Sequence, residues 1–272
     1  MAFEIPEKQH TAEKSFTRLL TVLNTLRENC PWDKKQTMES LRLLTIEEMY
    51  ELGDAILDGD LTEVKKELGD LMMHLVFYAK IAQEQEAFDI VDVLNQVCDK
   101  LILRHPHIYG DLDAKNEEAV KKNWEKIKLK EGNKSVLAGV PNGLPALVKA
   151  YRIQEKVKGV GFDWPDSQQV WDKVEEELGE FKEAYLAPTK ESINMQEAEA
   201  EFGDLLFSLV NYGRHIGINP ENALERTNKK FIGRFKFMEE KAKQANEQLG
   251  DLSLEQLDSY WNEAKRENRT EK

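Results

Sequence analysis

Apolar residues recur at three- and four-residue spacing over most of this chain, the period of helices that bury one face. The pattern first appears over Glu13–Glu28, where Phe16, Leu19, Leu20, Leu23 and Leu26 share a stripe, and it stops at Cys30-Pro-Trp-Asp33. It predicts a second helix over Met38–Leu57, broken by Asp58-Gly59-Asp60, and a third over Leu61–Gln85. Asp60 with Glu63 three residues later gives the third a capping-box-like start, so the two form a hairpin with a short loop. Further helices are expected over Ile90–Leu103, ended by His105-Pro106, and over Glu117–Lys130. Runs such as Val136-Leu-Ala-Gly-Val140 are short and broken by glycine, so no strand competes well. The expected fold class is all-α, each half a bundle of helices.

The segment Glu131–Pro145 carries Gly132, Gly139, Gly143, Pro141 and Pro145 and reads as a linker, dividing the chain into 1–133 and 134–272. Beyond it the same order returns. A helix over Leu144–Lys158 leads to Val160-Gly-Phe-Asp-Trp-Pro165, which echoes Cys30-Pro-Trp-Asp33. Glu176-Glu177-Leu-Gly-Glu180 echoes Glu47-Glu48-Met-Tyr-Glu51, and Glu201-Phe-Gly-Asp204 echoes Glu67-Leu-Gly-Asp70. Lys230 and Arg234 then repeat Lys100 and Arg104, and Trp261 and Lys265 repeat Trp124 and Lys128. Landmarks returning in one order at so long a period indicate a duplicated domain rather than a solenoid.

Composition narrows the function. The 272 residues hold 38 Lys and Arg against 51 Asp and Glu, a formal charge of -13, which argues against a sequence-independent grip on DNA or RNA. Cys30 and Cys98 are far apart and form no C-x-x-C pair, so neither a disulfide framework nor a zinc site is expected. The amino terminus lacks the basic and apolar regions of a secretory signal, and no window approaches 18 uninterrupted apolar residues. A cytoplasmic protein with no membrane partner is the expectation.

The chemistry lies in the acids. Glu177 and Glu180, and Glu201 and Asp204, are each spaced i,i+3, so each pair projects two carboxylates from one helical face. Four carboxylates brought together by two antiparallel helices repel unless divalent cations lie between them, and hard oxygen ligands point to Mg2+, with Mn2+ as an alternative. Glu48, Glu51, Glu67 and Asp70 offer a second set. In the third helix Val64, Leu68, Leu71, Leu75 and Ala79 form the expected buried stripe, with Glu67 and Asp70 along its border, where carboxylates need a partner. Gly69 and Gly203 precede the aspartates, at about 1 kcal/mol relative to alanine within a helix; close approach of a ligand or backbone, or a packing contact, would explain them. His105 and His107 are not expected to hold metal, and His74 is expected at the surface or hydrogen-bonded in the core. No G-x-x-x-x-G-K-[ST] occurs, so a P-loop mechanism is excluded.

The E-E-x-x-E hairpin followed by E-x-x-D resembles the MazG family of all-α nucleoside triphosphate pyrophosphohydrolases. The resemblance extends over nearly the whole chain, through Cys30-Pro-Trp-Asp-Lys-Lys-Gln-Thr37, Arg104-His-Pro-His107, Leu144-Pro-Ala-Leu-Val-Lys-Ala150, Val160-Gly-Phe-Asp-Trp164 and Gly203-Asp-Leu-Leu-Phe-Ser-Leu-Val-Asn211. It implies magnesium-dependent hydrolysis of nucleoside triphosphates to the monophosphate and pyrophosphate, with broad, housecleaning specificity, by a homodimer that completes the helical bundles. Glu177, Glu180, Glu201 and Asp204 match the family's metal ligands and are the expected catalytic set. Lys230 and Arg234 match its phosphate-binding positions, Lys173 is a further candidate, and Trp261 and Lys265 resemble positions near the nucleotide. Gly233 stands where the family often has a second arginine. A narrower dCTP- or dUTP-type hydrolase is a neighbour in the same chemistry, for which tandem duplication is atypical.

The acids do not choose between the halves, but their surroundings do. Lys173, Asn211 and Asn228 correspond to Leu44, Phe77 and Cys98, so three groups able to touch a triphosphate or sugar are apolar or weakly polar in the first half. The second half is therefore the expected main catalytic centre, with the first binding metal weakly, working slowly or serving assembly. The alternative from another class is a non-catalytic nucleotide sensor or interaction scaffold.

Overall fold

The computed structural model describes residues 7–110, 120, 127, 135–185 and 194–270. The helix expected over Glu117–Lys130, the counterparts Trp124 and Lys128, and part of the linker lie outside them. Helix is the dominant structure among the described residues, and no strand occurs there. None of these helices is long and apolar enough to cross a membrane. The chain divides into two compact units, Met1–Val120 and Lys121–Lys272.

In the first unit α1 (Ala12–Asn29), α2 (Met38–Asp58), α3 (Leu61–Glu84), α4 (Ile90–Arg104) and the short α5 (Pro106–Tyr109) follow the periodicity closely. Local chemistry sets their ends. Thr37 and Ser40 cap α2 reciprocally, each side chain accepting from the other's backbone N–H at 3.1 and 2.9 Å. Gly59 ends α2 in the left-handed region at φ 72°, which favours glycine. Asp60 then accepts from the backbone N–H of Thr62 and Glu63, opening α3 without a spacer and folding it back on α2. Leu23, Leu41, Val76, Phe77 and Ile81 make the core shared by α1, α2 and α3.

The second unit repeats the plan with α6 (Ala146–Lys158), α7 (Ser167–Tyr185), α8 (Met195–His215), α9 (Pro220–Gln244) and α10 (Leu254–Thr270). Val170 and Val174 of α7 are buried, as are Ala198, Leu205 and Val210 of α8. Trp171 meets Tyr212 edge-on with centroids 4.9 Å apart, and Phe181 meets Phe202 at 5.4 Å. Gln154 of α6 donates to the Phe207 carbonyl at 2.8 Å, tying α6 to α8.

The expected stripe of α3 is corrected in part. Leu68 and Leu75 are 53% and 55% exposed, whereas the buried face carries Glu67, His74, Val76, Phe77, Ala79, Ile81 and Ala82. Phe202, Leu206 and Leu209 of α8 are likewise exposed. The apolar residues thus line two faces of each hairpin, one packed within the unit and one open. Leu41→Ala deletes a side chain that is 1% exposed, at the centre of the first core. It should cost about 2–5 kcal/mol, measured as a lowered urea midpoint of the full chain.

Candidate metal and nucleotide site

In the second unit one carboxylate oxygen from each of Glu177, Glu180 and Glu201 lies within 4.8 Å of the others, so α7 and α8 bring three of the four expected acids together. Asp204 is exposed and outside this group. Glu177 is buried; Lys173, one turn earlier, places its Nζ 2.7 Å from both Glu177 Oε1 and Glu176 Oε1. These contacts to Glu176 and Glu177 raise the lysine's pKa above its ordinary value, so its charge is secure. Lost hydration, then the charge of Glu177, pushes the Glu180 carboxyl up. Three close carboxylates with a single lysine beside them fit a divalent cation, which would replace repulsion by coordination.

The remaining expected residues fall into two places. Arg234 lies with its guanidinium carbon 5.4 Å from the Trp261 ring centroid, and Trp261 packs on Phe231 at 5.0 Å. Arg234, Asn262, Lys265 and Arg266 line a cavity of about 440 Å³. Arg234 Nε is buried without an acceptor, which suits an anion that would supply one. Lys230 is exposed on the same helix, α9, and Asn228 donates to Glu225 at 3.1 Å.

Asn211 is buried, and its Oδ1 accepts from Arg214 Nε at 3.1 Å and Nη2 at 2.7 Å. Arg214 also grips Asp163 on the bend between α6 and α7, Nη1 to Oδ2 at 3.0 Å and Nη2 to Oδ1 at 2.5 Å. Burial pushes the Asp163 carboxyl up, but the hydrogen bonds and charge of Arg214 prevail and hold it below the usual range. Sequence reasoning quoted Asp163 within its motif and passed over Arg214, because a pairing across 51 residues leaves no periodic trace.

The first unit gathers Glu48, Glu67 and Asp70 in the same way, leaving exposed Glu51 outside. Its lysine comes from the opposite helix of the hairpin: Lys66 of α3 lies 2.9 Å from Glu67 Oε1. Glu67 is 2% exposed, and its Oε2 is buried with no hydrogen-bond partner. The contact from Lys66 holds the Glu67 carboxyl below its usual range, while lost hydration and then the neighbouring acids push Glu48 up to about 7. The donor set and the orphaned oxygen fit a cation here too.

Several expectations change. His74 is buried, but its Nδ1 has no partner; burial lowers its pKa against the opposing charge of Asp70. Among the described residues a Cβ at Gly69 or Gly203 would meet nothing within 4 Å, so no close packing contact there explains either glycine. His105 Nδ1 pairs with the Leu101 carbonyl at 2.6 Å. Phe77, opposite number of Asn211, sits in the first core under the Arg27 guanidinium, 5.5 Å from its ring centroid.

The raised Glu48 has a thermodynamic consequence. Folded protein keeps a proton that the unfolded chain releases near pH 4.5, so this residue's contribution to stability falls as pH rises from about 4.5 to about 7. Melting in chelator should show Glu48→Gln gaining on the parent chain across that window. Added Mg2+ should stabilise the parent most at its upper end, where binding displaces the fewest protons.

Residues 36–109 match the MazG nucleotide pyrophosphohydrolase domain. Over 255 residues the chain is 46% identical to the nucleoside triphosphate pyrophosphohydrolase/pyrophosphatase MazG of Thermotoga maritima, covering 92% of this chain and 95% of that protein. Over 258 residues it is 40% identical to the nucleoside triphosphate pyrophosphohydrolase of Escherichia coli K12, covering 92% and 97%. YabN of Bacillus subtilis, an uncharacterized protein, is 43% identical over 255 residues, covering 92% of this chain and 51% of YabN. With both acid hairpins in place and relatives matched along almost their whole length, the chain belongs to the MazG nucleotide pyrophosphohydrolase family.

Proposed function

We propose that this chain is a cytoplasmic, homodimeric, Mg2+-dependent nucleoside triphosphate pyrophosphohydrolase of broad specificity, with its main catalytic centre in the second unit. The observation that carries the choice of unit is the set of groups around the two acid hairpins. α7 carries Lys173 and α8 the buried amide of Asn211, and α9 and α10 of the same unit line a cavity with Arg234 and Lys265. In the first unit Leu44 packs against the core, Phe77 lies within it and Cys98 is exposed, so the corresponding polar groups are lacking.

In this reading water attacks the α-phosphorus, its oxygen forms the new P–O bond, and the bond to the α,β-bridging oxygen breaks to release pyrophosphate. A divalent cation held by Glu177, Glu180 and Glu201, with Asp204 one turn beyond Glu201, supplies the positive charge that such phosphates need. Lys173, Lys230 and Arg234 neutralise the phosphates and leaving group. Lys173 lies on Glu176 and Glu177, and a cation held by the acids would leave its charge available to a phosphate. Trp261 and Lys265 border the nucleotide, and Asn211 and Asn228 supply polar contacts to sugar or base. Glu48, Glu67 and Asp70 hold a second cation that supports the fold or a slow reaction.

The open apolar faces supply the case for a homodimer. Leu68, Met72 and Leu75 on α3 and Phe202, Leu206 and Leu209 on α8 are exposed beside acids that need a dry, fixed setting. Sedimentation should show a dimer, and Leu68→Glu with Leu75→Glu should weaken it. The full chain with Mg2+ and each nucleoside triphosphate should yield the monophosphate and pyrophosphate. Release of orthophosphate and the diphosphate would refute the reaction, and absence of turnover would assign the scaffold role instead. Glu177→Ala should lower kcat about 10²-fold or more, while Glu48→Ala keeps most of the rate; the reverse would move the catalytic centre to the first unit.

A further inference from the structure

We propose that Arg214 is a positioning residue that locks the Asn211 amide in one of its two flip states, so that this point of the site reads an acceptor atom on the sugar or base. The inference rests on the placement of the nucleotide in the second unit.

The lock follows from donor and acceptor chemistry. A guanidinium has N–H donors and no acceptor. Arg214 offers two of them to one atom of Asn211, at 3.1 and 2.7 Å, so that atom must be the carbonyl oxygen. The flipped amide would set its own N–H groups against those donors and leave part of a buried charge unbonded, which is costly. Arg214 is itself held: its side chain is 4% exposed, and Asp163 takes its other edge through two hydrogen bonds. The same bend is tied again where His215 Nε2 meets the Trp164 carbonyl at 3.2 Å. The amide therefore turns its nitrogen away from Arg214, and among the described residues that nitrogen donates to nothing.

Position along α8 says what the free donors meet. Asn211 follows Asp204 by two helical turns, which puts it on the same line of α8 as that acid and about 10 Å further along the axis. A triphosphate held at the acids would set its sugar or base, and not its phosphates, at that distance. The two N–H groups of Nδ2 then accept nothing and donate to a hydroxyl oxygen, a base carbonyl or a ring nitrogen.

The first unit shows that the hairpin itself does not require the device. Phe77 and Lys80 stand at the positions of Asn211 and Arg214, and Phe77 fills the core. Arg27 of α1 supplies the guanidinium there, spending it on Glu84 at 2.9 Å and on the Asp33 and Gln36 carbonyls. Both members of the polar pair are thus absent where their amide would have no use.

Asn211→Asp in the full chain separates positioning from folding. Aspartate keeps an oxygen for Arg214 but replaces the outward donor by an acceptor. The melting temperature should hold, kcat should stay within about threefold, and KM for each triphosphate should rise about tenfold or more, as for loss of one hydrogen bond. Arg214→Lys should also raise KM while reducing discrimination between natural nucleotides and analogues without the acceptor. Sugar analogues lacking the 2′- or 3′-hydroxyl and base analogues lacking a carbonyl identify the acceptor: the one that matters loses affinity for the parent but not for Asn211→Asp. An unchanged KM in Asn211→Asp, alongside turnover that Glu177→Ala abolishes, overturns this inference alone. A fall in melting temperature and kcat without a change in KM makes the strut structural and also overturns it. If Glu177→Ala leaves turnover intact, the placement of the site fails first and takes the inference with it.

Discussion

Carboxylates held at the edge of an apolar helical hairpin repel one another, and the organisation of each unit answers that cost. The i,i+3 spacing fixes pairs on single helices, and the packing of the two helices brings acids from both together; in the first unit the turn at Gly59-Asp60 sets that packing. What remains is a deficit of positive charge. Lys66 and Lys173 meet part of it, but Glu67 keeps a buried oxygen without a partner, and Glu48 retains a proton that a surface glutamate would lose. A divalent cation would complete both arrangements through the three acids that converge in each unit.

The duplication shows how little of this scaffold the chemistry constrains. Both units keep the acids, yet the compensating lysine comes from α3 in one and from α7, the first helix of its hairpin, in the other. Either solution puts an ammonium within hydrogen-bonding distance of a buried glutamate, at 2.9 Å in the first unit and 2.7 Å in the second. An arginine is likewise used twice, from α1 in the first unit and from α8 in the second. The first arrangement seals a core around Phe77, whereas the second orients a buried amide. A fold maintained by apolar volume leaves such polar surroundings free to diverge between copies.

Particular residues show how far the sequence could be read. The helices were legible because their caps and breakers are local: Thr37, Asp60 and Gly59 act on backbone groups within a few residues. The acid hairpins were legible because their spacing fits one helical face. The stripe through Leu68 and Leu75 was misplaced for a physical reason. Periodicity reports that a face is apolar and is silent on whether its cover lies within the same unit. His74 went astray for a similar reason, since a buried Nδ1 without a partner is a fact about neighbours.

The sequence by itself determined the all-α architecture, the repeated order of the two halves, the family resemblance and the helices that carry the acids. Each rests on contacts between near neighbours or on motifs carried intact along the chain. Tertiary structure alone decided which three acids converge in each unit, which lysine answers them, and that Arg214 joins Asn211 to Asp163. Those outcomes depend on side chains meeting at hydrogen-bonding distance after the helices have packed. Half a turn of a helix is enough to make or break such a contact, and no local pattern records it.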